Sequence, residues 1–378
     1  MPYRSEFPHE QGLIYLNHAA VAPWPQRAAD AVARFAAENA HSGSWNYRRW
    51  EATEQQLRER LQRLLNAASS DDIALVKNTS EALSFVAYGL DWAPGDNVVT
   101  CIEEFPSNRW VWQSLERFGV ETRLAAITEC DDPEAALFGL VDERTRLISV
   151  SAVQYGTGLR MALERIGTFC RDNEVLFCID AIQQLGALPF DVQRYQADFV
   201  AADGHKWMLG PEGIGVFWVR PDLRERLRLT EVGWHSAEQI VDYTQMEWTL
   251  ARTAKRFECG SPNMLGIHAL NASLELIEEI GMREIANNIL KNTSLLIELI
   301  NNTEGFSLLT PAETDRHAGI VTFGHRELSP RRLCAQLKER RVLCAPRGGG
   351  VRFSPHFYTS VSELRQAWSF VQELAKAV

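Results

Sequence analysis

The sequence predicts an α/β protein, in which a mainly parallel seven-stranded sheet is covered on both faces by helices and a smaller α+β segment follows. Seven short apolar runs fall within the first 219 residues, and helical stretches separate most of them. Strands that are apolar at nearly every position have no solvent-facing side, so helices must cover both faces of the sheet. Past about residue 260 the alternation stops, and long helices with few strands take over.

The elements follow in order. Amphipathic helices are predicted over 26–40 and 51–66, joined by the aromatic-rich loop HSGSWNYRRW. The seven strands are placed at 72–77, 97–102, 122–127, 146–150, 175–179, 198–202 and 215–219, with helices at 80–90, 107–118 and 163–173 between them. Beyond them come helices at 267–280 and 282–301, a strand at 319–323, a helix at 330–340, a short strand near 342–345 and a final helix at 362–376. The expected division is a large domain over 25–262 and a small domain made of 1–24 with 263–378.

Composition narrows the function. A net charge of −10 argues against a nucleic-acid surface, which needs a basic stripe. The seven cysteines are scattered with no C-x-x-C pair, so neither a disulfide framework nor a metal site is indicated. No apolar run reaches membrane-spanning length and the first residues lack a signal-peptide pattern, so a cytoplasmic protein is expected.

Five places carry candidate chemistry. Gly204-His205-Lys206-Trp207 follows a strand, and ligands of open α/β sheets bind outside the carboxyl ends of strands. A lysine held there among apolar neighbours is desolvated and nucleophilic; the competing reading is a solvated loop lysine. Asp180 ends the apolar run VLFCI, where a carboxylate needs a cation or several donors, with Gln183 three residues on. A protonated pyridine nitrogen is such a cation, which points to pyridoxal 5′-phosphate (PLP); a helix cap is the alternative. Thr79 and Ser80 sit at a helix start suited to a phosphate, although Asn78 and Glu81 also read as a capping box. Phe105 suits stacking on a flat ring, or the core. Arg352, after three glycines, presents a fork suited to a carboxylate, against a default of a surface arginine.

Taken together, their order and spacing resemble the class V aminotransferase family of PLP enzymes, which includes cysteine desulfurases, kynureninases and an epimerase branch. The resemblance spans nearly the whole chain, from Tyr15-Leu16-Asn17-His18-Ala19-Ala20 through Asn78–Ala82, Asp180-x-x-Gln183 and Gly204-His205-Lys206 to Arg256-Phe257-Glu258-Cys259-Gly260-Ser261-Pro262-Asn263. It implies PLP-dependent transferase fold type I. It also implies a Schiff base on Lys206, ring contacts from Asp180, Phe105, Gln154 and Gln183, and phosphate contacts from Thr79, Ser80 and His205. Ser261 would reach the phosphate of a neighbouring subunit, in a homodimer with shared active sites. The substrate would be a small amino acid, bound by Arg352 and near Ala20.

The resemblance has gaps. The stretch Ala345–Val351 holds no nucleophilic cysteine of the desulfurase kind, although Cys344 lies just before it. Asp203 stands where a neutral phosphate ligand is usual, so it is left out of the site. His18 and the Trp45–Trp50 loop are open between a site role and a packing role. The leading expectation is an aminotransferase. The alternative is a C–S lyase, either desulfurase-like or kynureninase-like, with a non-catalytic PLP-binding protein behind it. A nicotinamide oxidoreductase is disfavoured because no G-x-G-x-x-G follows the first strand.

Overall fold

A computed structural model describes residues 3–128, 130–239, 244 and 246–376. A short strand β1 (Ile14–Tyr15) precedes helices α1 (Gln26–Ser42) and α2 (Tyr47–Leu65). The aromatic segment expected as a loop is shorter than its sequence suggests. Tyr47–Trp50 already form the first turn of α2, where Trp50 packs on Phe35 and donates to Glu38 Oε1 at 3.1 Å.

The central sheet is built by β2 (Ile73–Val76), β3 (Asn97–Cys101), β4 (Glu121–Ala125), β5 (Thr145–Ser151), β6 (Leu176–Asp180), β7 (Phe199–Asp203) and β8 (Gly215–Val219), in the order β2-β8-β7-β6-β5-β3-β4. Only β8 runs against its neighbours, pairing antiparallel with both β2 and β7. Helices α3 (Thr79–Gly89), α4 (Ser107–Gln113), α5 (Pro133–Phe138) and α6 (Leu163–Asp172) lie between strands. The side chains of β3, β5, β6 and β7 split between two apolar cores, one on each face: Val99, Ile148, Ile179 and Val200 in one, Val98, Leu147, Cys178 and Phe199 in the other. That two-sided burial is why the strands read as continuously apolar.

After the sheet, α7 (Met264–Ile280) packs along α1 and α2 and adds Ile267, Leu270 and Leu274 to the first core. Helix α8 (Met282–Asn301) leads to a four-stranded sheet of β9 (Phe306–Leu308), β10 (Val321–His325), β12 (Ala345–Arg347) and β13 (Gly350–Phe353), in the order β12-β13-β10-β9. Helices α9 (Pro330–Glu339) and α10 (Val361–Lys376) cover it. Strand β11 (Val342–Leu343) pairs in parallel with β1, so the start of the chain joins this third core through Ile14 and Leu16.

Candidate active site

The carboxyl ends of β2, β3, β6 and β7 open on one cavity of about 320 Å³. Ala20, Thr79, Ser80, Phe105, Asp180, Gln183, His205, Lys206 and Arg352 all line it, although they come from positions up to 332 residues apart.

Lys206 sits three residues past β7, beyond the turn at Gly204, and is buried, as are Trp207 and Met208 that follow it. Its Nζ lies 5.7 Å from the centre of the Phe105 ring. Burial lowers its pKa to about 8, and Asp180 opposes that shift while Arg352 and Arg347 add to it. At the end of β6, Asp180 accepts the Ile182 N–H at 3.1 Å. Burial raises the Asp180 carboxyl to about 7, partly offset by that N–H. An amine and a carboxyl are thus held in one low-dielectric space, each with its charged form disfavoured.

Residues around the pair are fixed by their own bonds. Trp207 is fully buried and its Nε1 donates to Gln183 Oε1 at 2.9 Å, while Gln183 Nε2 donates to the Ala19 carbonyl at 3.0 Å. Both ends of the Gln183 amide are therefore engaged. The Asn78 side chain caps α3 by accepting from Glu81 N at 2.9 Å, so the capping box and the open helix terminus exist together. Thr79 Oγ1 accepts from Asp203 N at 3.0 Å, and Ser80 Oγ donates to Ser107 Oγ at 2.8 Å. Asp203, set aside on sequence grounds, also lines the cavity; its Oδ1 is 3.1 Å from His205 Nδ1.

Arg352 is a buried residue of β13, not a surface arginine. Its Nη1 donates to the Tyr155 carbonyl at 2.8 Å, and its Nε has no partner. Burial, with Arg347 nearby, lowers its pKa to about 10. Among the described residues, no carboxylate lies within ion-pair distance of it.

Two expected site residues lie elsewhere. Gln154 is buried but does not line the cavity: its Nε2 donates to Glu104 Oε1 at 2.7 Å and its Oε1 has no partner. Ser261 lines a separate cavity of about 210 Å³ with Gly213 and Asn263. His18 has both ring nitrogens engaged, by the Ser354 carbonyl at 2.8 Å and the Tyr358 hydroxyl at 2.7 Å, so it packs rather than faces the site. No cysteine is among the described residues lining the cavity, and Cys344 lies instead 3.6 Å from Cys334, Sγ to Sγ.

Sequence reasoning missed Glu104, Tyr155 and Arg347. Fully buried Glu104 accepts from Ser151 N, the Ser151 hydroxyl, Asn108 Nδ2 and Gln154 Nε2, and burial raises its pKa. The signal was present, because it lies three residues past the buried strand β3, next to Phe105. Tyr155 meets Phe105 edge-on with ring centres 5.2 Å apart. Arg347 lines the cavity near Arg352.

The second cavity borders an ionic cluster. Arg58 donates through Nη1 and Nη2 to Glu258 at 2.5 and 2.7 Å, and through Nη2 also to Glu54. Glu258 accepts Leu75 N at 2.7 Å, and His235 approaches it at 3.6 Å. Burial alone would lower the Arg58 pKa, but Glu258 and Glu54 outweigh it and raise it.

Comparison with known proteins agrees with this geometry. The profile of the family described as Aminotransferase class-V matches residues 14–359. A probable cysteine desulfurase of Methanothermobacter thermautotrophicus is 29% identical over 98% of this chain and 97% of its own length. The apo structure of a cysteine desulfurase from Thermococcus onnurineus superposes with a TM-score of 0.90 at 25% identity, covering 100% of this chain and 98% of that one. A cystine C–S lyase solved with its product cysteine persulfide does so with a TM-score of 0.89 at 25% identity, over 96% of this chain and 98% of that one. No helix among the described residues is long and apolar enough to cross a membrane. The chain belongs to the class-V aminotransferase family, with the fold type I architecture expected of it.

Proposed function

We propose that this protein is a PLP-dependent enzyme that cleaves a carbon–sulfur bond at the β-carbon of a small α-amino acid. The observation that carries the reading is the buried Lys206–Asp180 pair, with the unpaired Arg352 guanidinium on the same cavity. The residues fit the cofactor. Asp180 is a buried carboxyl that a pyridinium would keep ionised, Phe105 offers an aromatic face, and the start of α3 with Thr79, Ser80 and His205 suits a phosphate. Bound PLP supplies an electron sink for charge developing at the substrate α-carbon.

The chain's own residues do the rest. Arg352 binds the substrate carboxylate, which supplies the anion its Nε and free Nη2 lack. Lys206, with a pKa near 8, yields a neutral amine that takes the α-proton and, once protonated, can pass it to the departing sulfur. Glu104 anchors the loop after β5 through Ser151 and Gln154, and so fixes Tyr155, whose carbonyl orients Arg352. Ser261 and the homodimer with shared active sites belong to the same reading; Ser261 lies outside its own chain's cavity, where a partner could meet it. Sulfur leaves with the product, because no cysteine among the described residues lines the cavity to accept it. Transamination, the leading expectation from sequence, is the second reading, since it uses the same lysine and arginine.

The test is spectroscopic and chemical. The purified protein should carry the yellow absorption of lysine-bound PLP, and Lys206→Ala should lose that band while keeping its circular dichroism. Incubation with sulfur amino acids should release reduced sulfur and ammonia. A colourless wild type that PLP cannot reconstitute refutes the cofactor; keto acid formed with one equivalent of aminated cofactor and no sulfur refutes the lyase.

A further inference from the structure

Two cysteine thiols meet beside the four-stranded sheet, away from the cavity. Cys334 lies in α9, and Cys344 is the single residue between β11 and β12. Cys344 Sγ donates to Cys334 Sγ at 3.6 Å. A disulfide holds its sulfurs at about 2.05 Å, so a movement of about 1.5 Å closes the gap. Cys344 has room for it. It stands outside both ladders, at the joint where the chain leaves the two-stranded sheet for the four-stranded one, and it is half-buried, open to solvent on one side. Cys334 is held on the face of α9 that also carries Leu333 and Leu337 into the third core.

The other five thiols are arranged differently. Cys101, Cys170 and Cys178 lie in the two cores of the central sheet, where burial raises each thiol pKa and keeps the proton on. Cys130 and Cys259 donate to the Ile127 carbonyl and the Glu231 carboxylate. In the Cys334–Cys344 pair, the S–H of Cys344 stabilises a thiolate on Cys334 and lowers its pKa, with Arg347 adding to the effect and burial opposing it. Two sulfurs that share one proton leave the other sulfur nucleophilic.

The position of the pair gives a crosslink something to hold. Leu343, just before Cys344, pairs with Tyr15, and Ala345, just after it, stands opposite Arg352. One neighbour thus braces the chain start, which runs on to Ala19 and Ala20 at the cavity, and the other braces the strand that bears Arg352.

We propose that Cys334 and Cys344 form a reversible dithiol–disulfide couple, a redox modification site that staples α9 to the joint between β11 and β12. The oxidant is a low-molecular-weight disulfide. The Cys334 thiolate attacks one sulfur of that disulfide and expels the other as a thiolate, leaving a mixed disulfide on Cys334. Cys344 then attacks the Cys334 sulfur and expels the second small thiolate. The two expelled thiolates take up the two protons given up by the cysteines, so one small disulfide is reduced as one protein disulfide forms. Neither thiol lines the cavity, so the couple works with or without a bound cofactor.

The test takes the intact chain, reduced and then incubated with oxidised glutathione, followed by acid quenching, alkylation under denaturing conditions and peptide mass analysis. The wild type should lose two of its seven alkylated cysteines and give one linked peptide pair joining Cys334 to Cys344, which dithiothreitol reverses. Closing a loop of this length should raise the melting temperature by about 3 °C. Cys344→Ser should stop at a glutathione adduct on Cys334, and Cys334→Ser should show neither crosslink nor melting shift. Seven alkylated cysteines after oxidised glutathione, a crosslink between another pair in place of this one, or an oxidised protein that melts no higher than the reduced one overturns the proposal.

Discussion

Replacing Arg58 by Met gives the sharpest test of the ionic cluster beneath the Arg256–Asn263 signature. Arg58 is buried, and donates to Glu258, Glu54 and the Ile73 carbonyl. Methionine matches much of its bulk but leaves two buried carboxylates without a cation. Removing one partner of a buried ion pair costs about 3–5 kcal/mol, because the charge left behind stays desolvated. At about 2.1 cal/mol/K per residue, the 378-residue chain unfolds with an entropy of about 0.8 kcal/mol/K, so Arg58→Met should melt about 4–6 °C lower. Adding Glu258→Gln should recover part of the loss by removing one buried charge. Thermal unfolding followed by circular dichroism reads both. A variant that melts within about 1 °C of the wild type refutes the account of Arg58 as the cation that makes Glu54 and Glu258 tolerable.

Two further outcomes are expected. Asp180 has a folded-state pKa raised to about 7, above its unfolded value, so its stability contribution is largest in acid and is lost as pH climbs from about 4 to about 7. Cofactor-free Asp180→Asn should therefore gain melting temperature relative to cofactor-free wild type across that interval; a gain that shrinks with rising pH contradicts the burial argument. Gly319 lies against the Trp207 ring, and a Cβ there would come within 2.2 Å of Trp207 Cη2. Gly319→Ala should cost about 1–3 kcal/mol and loosen PLP on dialysis by shifting Trp207 from Gln183, whereas Gly260→Ala, with nothing within 4 Å of its Cβ, should leave the melting temperature unmoved.

The strands were legible because burial on both faces writes an unbroken apolar run, and all seven lie within two residues of their expected bounds. Short elements were not. Strand β9 is Phe-Ser-Leu and has no period to detect, and α5 spans only Pro133–Phe138. The boundary expected at 262 falls just before α7, whose apolar face packs on α1, α2 and the first core, a tertiary fact that composition does not carry. In the site, residues at strand ends come together because topology sends strand ends to one place. Gln154 is not among the residues lining the cavity, and its side chain donates to Glu104. Arg347 was overlooked because its significance depends on Arg352 being buried and unpaired beside it.

The reversed strand β8 has a consequence for the order in which this protein matures. The turn at Asn78–Ser80 follows β2 and Lys206 follows β7, yet β2 and β7 are not neighbours; residues 215–219 stand between them and bond to both. A chain still emerging from the ribosome therefore holds both halves of its cofactor site, by sequence, before it has the piece that sets their spacing. Truncation before residue 215 should therefore yield polypeptide with every site residue from β2 to β7 and no site, because the strand that sets their spacing is missing.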